Sequence, residues 1–253
     1  MIDIHSHVLP GLDDGARSSE ESLEMLRLAA DSGTTDIVAT PHANSEFPFD
    51  ERRVEEAFHA LSATSSGVIR LHLGCDFHLS YENLQDALRN PAKYTVNHSS
   101  YLMVELPDLV ALATVRSGLR QLIGARIIPV ITHPERNVSL QPRLDELARW
   151  NKDGCLMQVT AQSFLGRFGP LAKDAAHQLM DAGLVHFVAS DAHDRVDRPP
   201  DLSAAYKYIS SRFGADRADS MFTYNPACVI SGESLTSPAT KPRKRSRFFS
   251  FWK

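Results

Sequence analysis

Seven short apolar runs, each parted from the next by a stretch that reads as helix or loop, constrain this chain more than any other feature. They cover residues 2–5, 35–39, 69–73, 101–105, 127–132, 156–159 and 184–189. Most place Ile, Val and Leu on successive positions, the pattern of strands covered on both faces. Ser18 followed by Glu21 forms a capping box that opens a helix. Leu23, Leu26 and Ala30 supply its expected buried stripe, and Gly33 ends it. Further helices are expected over 52–65, from Gln141-Pro142 to about 153, over 170–182 and over 200–213, with a loop around 41–50. Strands alternating with helices argue for a parallel β/α barrel or an open doubly wound sheet. The chain reads as one domain over 1–235. Thr236-Ser237-Pro238-Ala239-Thr240 follows as a linker, and the tail to 253 is basic and then aromatic.

Composition removes several classes. The length is 253 residues, 43% of them hydrophobic and 23% charged, and such a core needs no disulfide staples. Cys75, Cys155 and Cys228 are odd in number and widely spaced, which implies neither a disulfide framework nor a zinc ribbon. None has an Arg six positions on, so the thiolate loop of cysteine phosphatases is absent. The start lacks a basic segment followed by a long apolar one, and no run is long enough for a membrane span, so a cytoplasmic protein is expected. Residues 241–253 carry six of the 27 basic residues and no acid. The remaining body has 21 basic residues against 31 acidic ones, which argues against a nucleic-acid partner.

The chemistry lies at the ends of the strands. His5 and His7 end the first, and residues i and i+2 of a strand point to one face, so both imidazoles can meet one ion. Asp13-Asp14-Gly15 follows directly. His42 ends the second strand, Asp76 the third, Glu105 the fourth and His133 the fifth; Gln158 and Thr160 lie near the end of the sixth, and Asp191 and His193 end the seventh. In parallel β/α folds catalytic groups gather at this C-terminal edge. Five imidazoles (His5, His7, His42, His133, His193) and four carboxylates (Asp14, Asp76, Glu105, Asp191) exceed the needs of one zinc and suit two or three ions. Mixed nitrogen and oxygen donors fit manganese, iron or zinc, and adjacent cations of this kind support hydrolysis. Arg136 and Arg198 follow ligand positions closely, and their guanidinium forks suit phosphate oxygens.

These motifs, in this order, resemble the polymerase and histidinol phosphatase (PHP) superfamily. Within it the chain is similar to the bacterial manganese-dependent protein tyrosine phosphatases of capsular and exopolysaccharide gene clusters. The matching pieces run from Met1-Ile2-Asp3-Ile4-His5-Ser6-His7 and Asp13-Asp14-Gly15 through Ala39-Thr40-Pro41-His42, Gly74-Cys75-Asp76, Glu105 and Thr132-His133-Pro134-Glu135-Arg136. They continue with Ala189-Ser190-Asp191-Ala192-His193, Arg198-Pro199-Pro200 and Asn225-Pro226. The resemblance implies a distorted seven-stranded parallel (β/α)7 barrel, TIM-barrel-like, holding three divalent cations, manganese first and iron or zinc as alternatives. It implies that His5, His7, Asp76 and Asp191 hold the first, Asp76, Glu105 and His133 the second, and Asp14, His42 and His193 the third. Asp76 would bridge where the commoner pattern has Glu, one methylene longer, so metal spacing or occupancy would differ. It further implies attack by a bridging hydroxide on phosphotyrosine, with Arg136 and Arg198 on the phosphate oxygens and a membrane-associated tyrosine kinase as the protein substrate.

Other readings stand beside this one: a small-molecule phosphatase such as one acting on histidinol phosphate, an amidohydrolase, or a scaffold whose metal site has decayed. The amidohydrolase is disfavoured because no Lys lies at a strand end. Asp13 competes with Asp14 as a ligand. Arg136 and Arg198 have a structural ion-pair role as their alternative, and Gly166-Arg167-Phe168-Gly169 reads as a plain connection rather than a substrate loop. His78 and His98 fall near strand ends, and His186 is expected to face away from Asp191. The tail is read as a solvated terminus or as a peripheral membrane contact. Oligomerisation stays open.

Overall fold

In the computed structural model, which describes residues 1–108 and 111–235, the chain folds as α/β with all strand pairs parallel. The expected linker and tail, 236–253, lie outside the described residues. Three strands, β1 (Ile2–Ser6), β2 (Asp36–Ala39) and β4 (Arg70–Leu73), form one sheet in the order β1-β2-β4. The other sheet runs β3 (His42–Ala43), β5 (Asp76–His78), β6 (Tyr101–Glu105), β7 (Ile128–Thr132), β8 (Leu156–Thr160), β9 (Phe187–Ala189).

The second and third expected strands are found at Asp36–Ala39 and Arg70–Leu73, and each is followed after a short break by a further strand that was not expected. The second stops at Ala39 and resumes at His42, after Pro41, which has no N–H to give a ladder. The third stops at Leu73 and resumes at Asp76. Its break holds Gly74, where a Cβ would come within 3.1 Å of Val96, 3.2 Å of Val38 and 3.3 Å of Thr40. The breaks switch the chain from one sheet to the other, so His42 comes to pair with Asp76. The last expected strand is also shorter, starting at Phe187 rather than 184. At the opposite edge, β1 leaves β2 and meets the chain beyond β9. His7 N donates to Ala192 O at 2.8 Å, Asp191 N donates to His5 O at 2.9 Å, and Ser6 bridges Ala192.

Helices cover the sheets: α1 (Ser19–Asp31), α2 (Glu51–Thr64), α3 (Tyr81–Arg89), α4 (Leu112–Gly124), α5 (Leu144–Asp153), α6 (Ala161–Leu165), α7 (Gly169–Asp181), α8 (Ser203–Phe213), α9 (Ala215–Asp219) and α10 (Asn225–Ser231). In α1 the cap forms as expected, with Glu21 N donating to Ser18 Oγ at 3.3 Å. The Glu21 carboxylate reaches one residue further back, to Arg17 N at 3.0 Å, so the box is only half closed. The buried stripe is Ser22, Met25, Leu26 and Ala29, a rotation from the expected Leu23, Leu26 and Ala30.

Apolar packing falls into three clusters. One joins the larger sheet to its helices through Phe77, Leu102, Ile131, Trp150, Met157 and Phe222. A second fixes α1 and α2 on the smaller sheet through Met25, Leu26, Ile37 and Leu61. The third takes Ile4, Val38, Met103, Val130 and Phe187 from strands of both sheets. These residues are fully buried, and they form the apolar floor next to which the polar strand ends collect. Among the described residues no helix is long and apolar enough to cross a membrane.

Candidate metal centre

The first strand delivers its two histidines as the period of two requires. His5 Nε2 and His7 Nε2 lie 3.3 Å apart, and both rings are buried. Each ring is oriented through its other nitrogen. His5 Nδ1 lies 3.0 Å from Gln158 Oε1 on β8, and His7 Nδ1 lies 2.7 Å from Asp13 Oδ2. A neutral imidazole that donates through Nδ1 leaves Nε2 free as a ligand.

The adjacent aspartates of the Asp13-Asp14-Gly15 turn separate by role. Asp13 is turned inward, accepting from Gly15 N at 3.0 Å and His42 N at 3.0 Å. Asp14 faces the cluster, its Oδ1 3.4 Å from His42 Nε2 and 3.3 Å from His193 Nε2. Gly15 is required by contact. A Cβ there would lie 2.1 Å from His7 O.

Asp76 is fully buried. Its Oδ2 lies 3.5 Å from His5 Nε2 and 3.2 Å from His42 Nδ1. Glu105 spans the outer edge, with Oε1 3.7 Å from His133 Nε2 and Oε2 3.8 Å from His42 Nδ1. Asp191 Oδ1 is 3.5 Å from both His5 Nε2 and His7 Nε2. Its Oδ2 accepts from Arg198 Nη2 at 2.5 Å and from Arg136 Nη1. His133 and Asp191 both hold positive φ, +35° and +52°. Such backbone is costly for residues with a Cβ and is found where surroundings over-determine it, often at functional sites.

All nine expected ligand positions thus converge. Their donor atoms fall into four overlapping groups, each within 4.8 Å: His7, Asp14, His42 and His193; His5, His7 and Asp76; His5, His133 and Asp191; and His42, Asp76 and Glu105. The grouping differs from the implied division: the two nitrogens of His42 face different groups, His133 falls with His5 and Asp191 rather than with Asp76 and Glu105, and His7 also joins Asp14, His42 and His193. Two buried atoms, Asp76 Oδ2 and His42 Nδ1, lie 3.2 Å apart and have no well-aligned hydrogen-bond partner among the described residues. Buried polar atoms without partners are expensive, and a shared cation is the partner this donor set suits.

The electrostatics agree. Burial opposes charge on His5, yet the Asp76 and Asp191 carboxylates outweigh it and push the imidazole up to about 9. Burial likewise opposes charge on His42, and Asp14, Asp76 and Glu105 push it up to about 11. His133 goes the other way. Burial and the Arg136 guanidinium push it down to about 4, which keeps it neutral. A pocket this negative holds protons or competes for cations.

Arg136 and Arg198 reach the same edge of the cluster, about one quarter exposed (24% and 23%). Both forks are engaged on Asp191, as the ion-pair alternative anticipates, and each guanidinium keeps further N–H groups to offer. His78 also comes near, with Nδ1 3.6 Å from Glu105 Oε2, while His186 faces away and accepts from Met157 N at 3.1 Å. His98 bonds Ala92 O instead. Sequence reasoning passed over the buried carboxylates of Asp3 and Glu135. Asp3 Oδ1 accepts from Ser190 N at 3.0 Å and ties β1 to the Asp191 turn. For Asp3 the signal was present: Asp3, His5 and His7 repeat at two-residue spacing.

Clefts open on two sides of the cluster. One, about 430 Å³, is lined by Asp14, Arg17, His193 and Arg195 among others. The other, about 390 Å³, is lined by His78, Glu105, His133, Arg136 and Asn137 among others.

Known proteins are similar to this chain along nearly its whole length. CapC of Staphylococcus aureus is 34% identical over 254 residues, covering 98% of this chain and 99% of its own. The tyrosine-protein phosphatase YwqE of Bacillus subtilis is 32% identical over 256 residues, covering 100% of both chains. A crystal structure from work on YwqE and on CpsB of Streptococcus pneumoniae, described as unique metal-dependent tyrosine phosphatases, superposes with a TM-score of 0.87 at 30% identity, covering 97% of this chain and 100% of that one. The capsular polysaccharide synthesis family CpsB/CapC matches residues 1–231, and the chain belongs to it.

Proposed function

We infer that this protein is a metal-dependent tyrosine phosphatase serving capsule or exopolysaccharide synthesis. The observation that carries the reading is the convergence of five imidazoles and four carboxylates at the strand ends, in a chain alike end to end with YwqE. His5, His7, Asp76 and Asp191 would hold one divalent cation, Asp76, Glu105 and His133 a second, and Asp14, His42 and His193 a third. Manganese is the first choice, and iron or zinc also suit these donors. Such cations, when bound, activate water near neutral pH and neutralise phosphoryl charge.

The chain's own groups supply the rest. Asp13 and Gln158 hold His7 and His5 with Nε2 toward the cluster. Arg136 and Arg198 keep one N–H each on Asp191 and offer the others to the equatorial oxygens of a phosphoryl group. The leaving phenol of tyrosine has a pKa of about 10, so it departs with less help from an acid than an alkyl alcohol needs. The two sheets, read as one distorted ring of seven strands, form a single catalytic domain over 1–235. The segment 236–253 is a linker and basic-aromatic tail suited to anionic membrane. The physiological substrate is a phosphotyrosine protein at the cytoplasmic membrane face, a tyrosine kinase of the export machinery.

The deciding experiment offers the full chain a tyrosine phosphopeptide, the matching serine phosphopeptide and histidinol phosphate, each with manganese and with chelator. Manganese-dependent hydrolysis confined to the tyrosine phosphopeptide supports the reading. Preference for histidinol phosphate, or turnover that survives chelation, overturns it.

A further inference from the structure

The connection Gly166-Arg167-Phe168-Gly169 is built against the site rather than past it. The Phe168 ring lies under the Arg136 guanidinium, with Cζ 4.3 Å from the ring centroid. Gly166 and Gly169 carry φ of +88° and +85°, which turns the chain tightly on both sides of that ring. Backbone bonds close the turn: Arg167 N donates to Gln162 O at 3.1 Å, and Gly169 N donates to Gly166 O at 3.1 Å.

The turn is also fixed relative to Arg136 itself. Glu135, the residue before it, is fully buried. Its Oε1 accepts from Thr160 N at 3.0 Å and from Ser163 Oγ at 2.6 Å, binding the start of α6 to the loop after β7. One frame therefore carries both the guanidinium and the ring. On the outer side Arg167 pairs with Asp197 at 2.8 Å, next to Arg198 in sequence.

We propose that Phe168 is a positioning residue that holds the Arg136 guanidinium in the orientation that meets the phosphoryl group. The ring face attracts the cation, and its flat surface leaves the in-plane N–H groups free for Asp191 and for phosphate. This rests on the phosphatase reading above.

The test compares Phe168→Ala, Phe168→Leu and Phe168→Tyr in the full manganese-loaded protein. Leu fills the space without a π face, and Tyr restores one. Phe168→Leu and Phe168→Ala are expected to lower kcat/KM for a tyrosine phosphopeptide roughly 3- to 10-fold, the scale of a partly exposed cation–π contact. They should weaken competitive inhibition by inorganic phosphate in parallel, with metal content unchanged. Phe168→Tyr should recover most of the loss, and in an Arg136→Ala background Phe168→Leu should cost nothing more. Full activity in Phe168→Leu, or an equal loss with and without Arg136, overturns the proposal. Absence of metal-dependent turnover in the unsubstituted chain would instead sink the phosphatase reading, so the two failures are distinct.

Discussion

Asp13 Oδ2 sits 2.7 Å from His7 Nδ1 and also accepts the backbone N–H of His42, so one carboxylate orients the His7 ring and anchors the backbone that carries His42. Its neighbour Asp14 faces the cluster directly. The two substitutions should therefore fail differently. Asp13→Asn keeps an acceptor of the same size and should lower metal affinity and activity modestly. Asp13→Ala should lower them about 10- to 100-fold, the usual scale for a group supporting a ligand. Asp14→Ala should cost the one cation that it shares with His42 and His193, read as a drop of about one metal per chain by elemental analysis. Equal losses from Asp13→Ala and Asp14→Ala would contradict this division.

Gln158 plays the matching part for His5. Its Oε1 lies 3.0 Å from His5 Nδ1 in a fully buried setting. Gln158→Leu preserves volume but leaves that N–H without a partner, a cost of about 1–3 kcal/mol. The expected outcome is a lower denaturation midpoint in chelator, with weaker manganese binding by calorimetry. Gln158→Glu should keep the bond. If Gln158→Leu binds manganese like the unsubstituted chain, the pairing does not orient His5.

Why some of this was legible in the sequence and some was not follows from distance along the chain. His5 and His7 announce themselves because a strand's period of two acts locally. The other ligand positions were legible because a parallel sheet gathers the C-terminal ends of its strands. The choice between Asp13 and Asp14 is made by His42 N, 29 residues away, and no local pattern carries it. The close packing at Gly74 arises likewise between distant segments, as does the contact of Phe168 with Arg136. The helices α3 and α4 were not expected from the sequence. In α1 two candidate stripes overlap at Leu26, and tertiary packing selected the one through Met25 and Ala29.

Gly15 offers a steric test of the same turn. Its φ is not positive, so conformational freedom is not what demands glycine. A Cβ would fall 2.1 Å from His7 O and 2.4 Å from His7 Cβ, neither of which is a flexible chain end. Gly15→Ala must push apart the Asp13-Asp14 turn and His7. Overpacking of this kind costs about 1–3 kcal/mol. Activity should fall further than stability, because the displaced atoms belong to the cluster. Thermal melting and manganese titration on the same preparation read both; an active, fully metallated Gly15→Ala would show that the turn has slack.

His186 sets a pH dependence that is separate from the metal centre. It caps the space between β8 and β9, where Met157 N donates to its Nδ1 at 3.1 Å and Asn225 donates to its carbonyl at 2.8 Å. Burial pushes its pKa down to about 4, against about 6.5 in an unfolded chain. Between those values the unfolded chain takes up a proton that the folded one refuses. Stability from this group is therefore complete above pH 6.5 and is lost as pH falls toward 4, by at most about 1.4 kcal/mol per pH unit. Protonation would also turn Nδ1 from acceptor to donor and set it against the Met157 N–H. His186→Gln removes the titration while keeping a polar side chain. Urea midpoints measured from pH 7.5 to 4.5 in chelator should fall more steeply for the unsubstituted chain than for His186→Gln. Metal linkage is absent under those conditions, so the difference between the two curves isolates His186, and parallel curves would assign the acid sensitivity to the carboxylates instead.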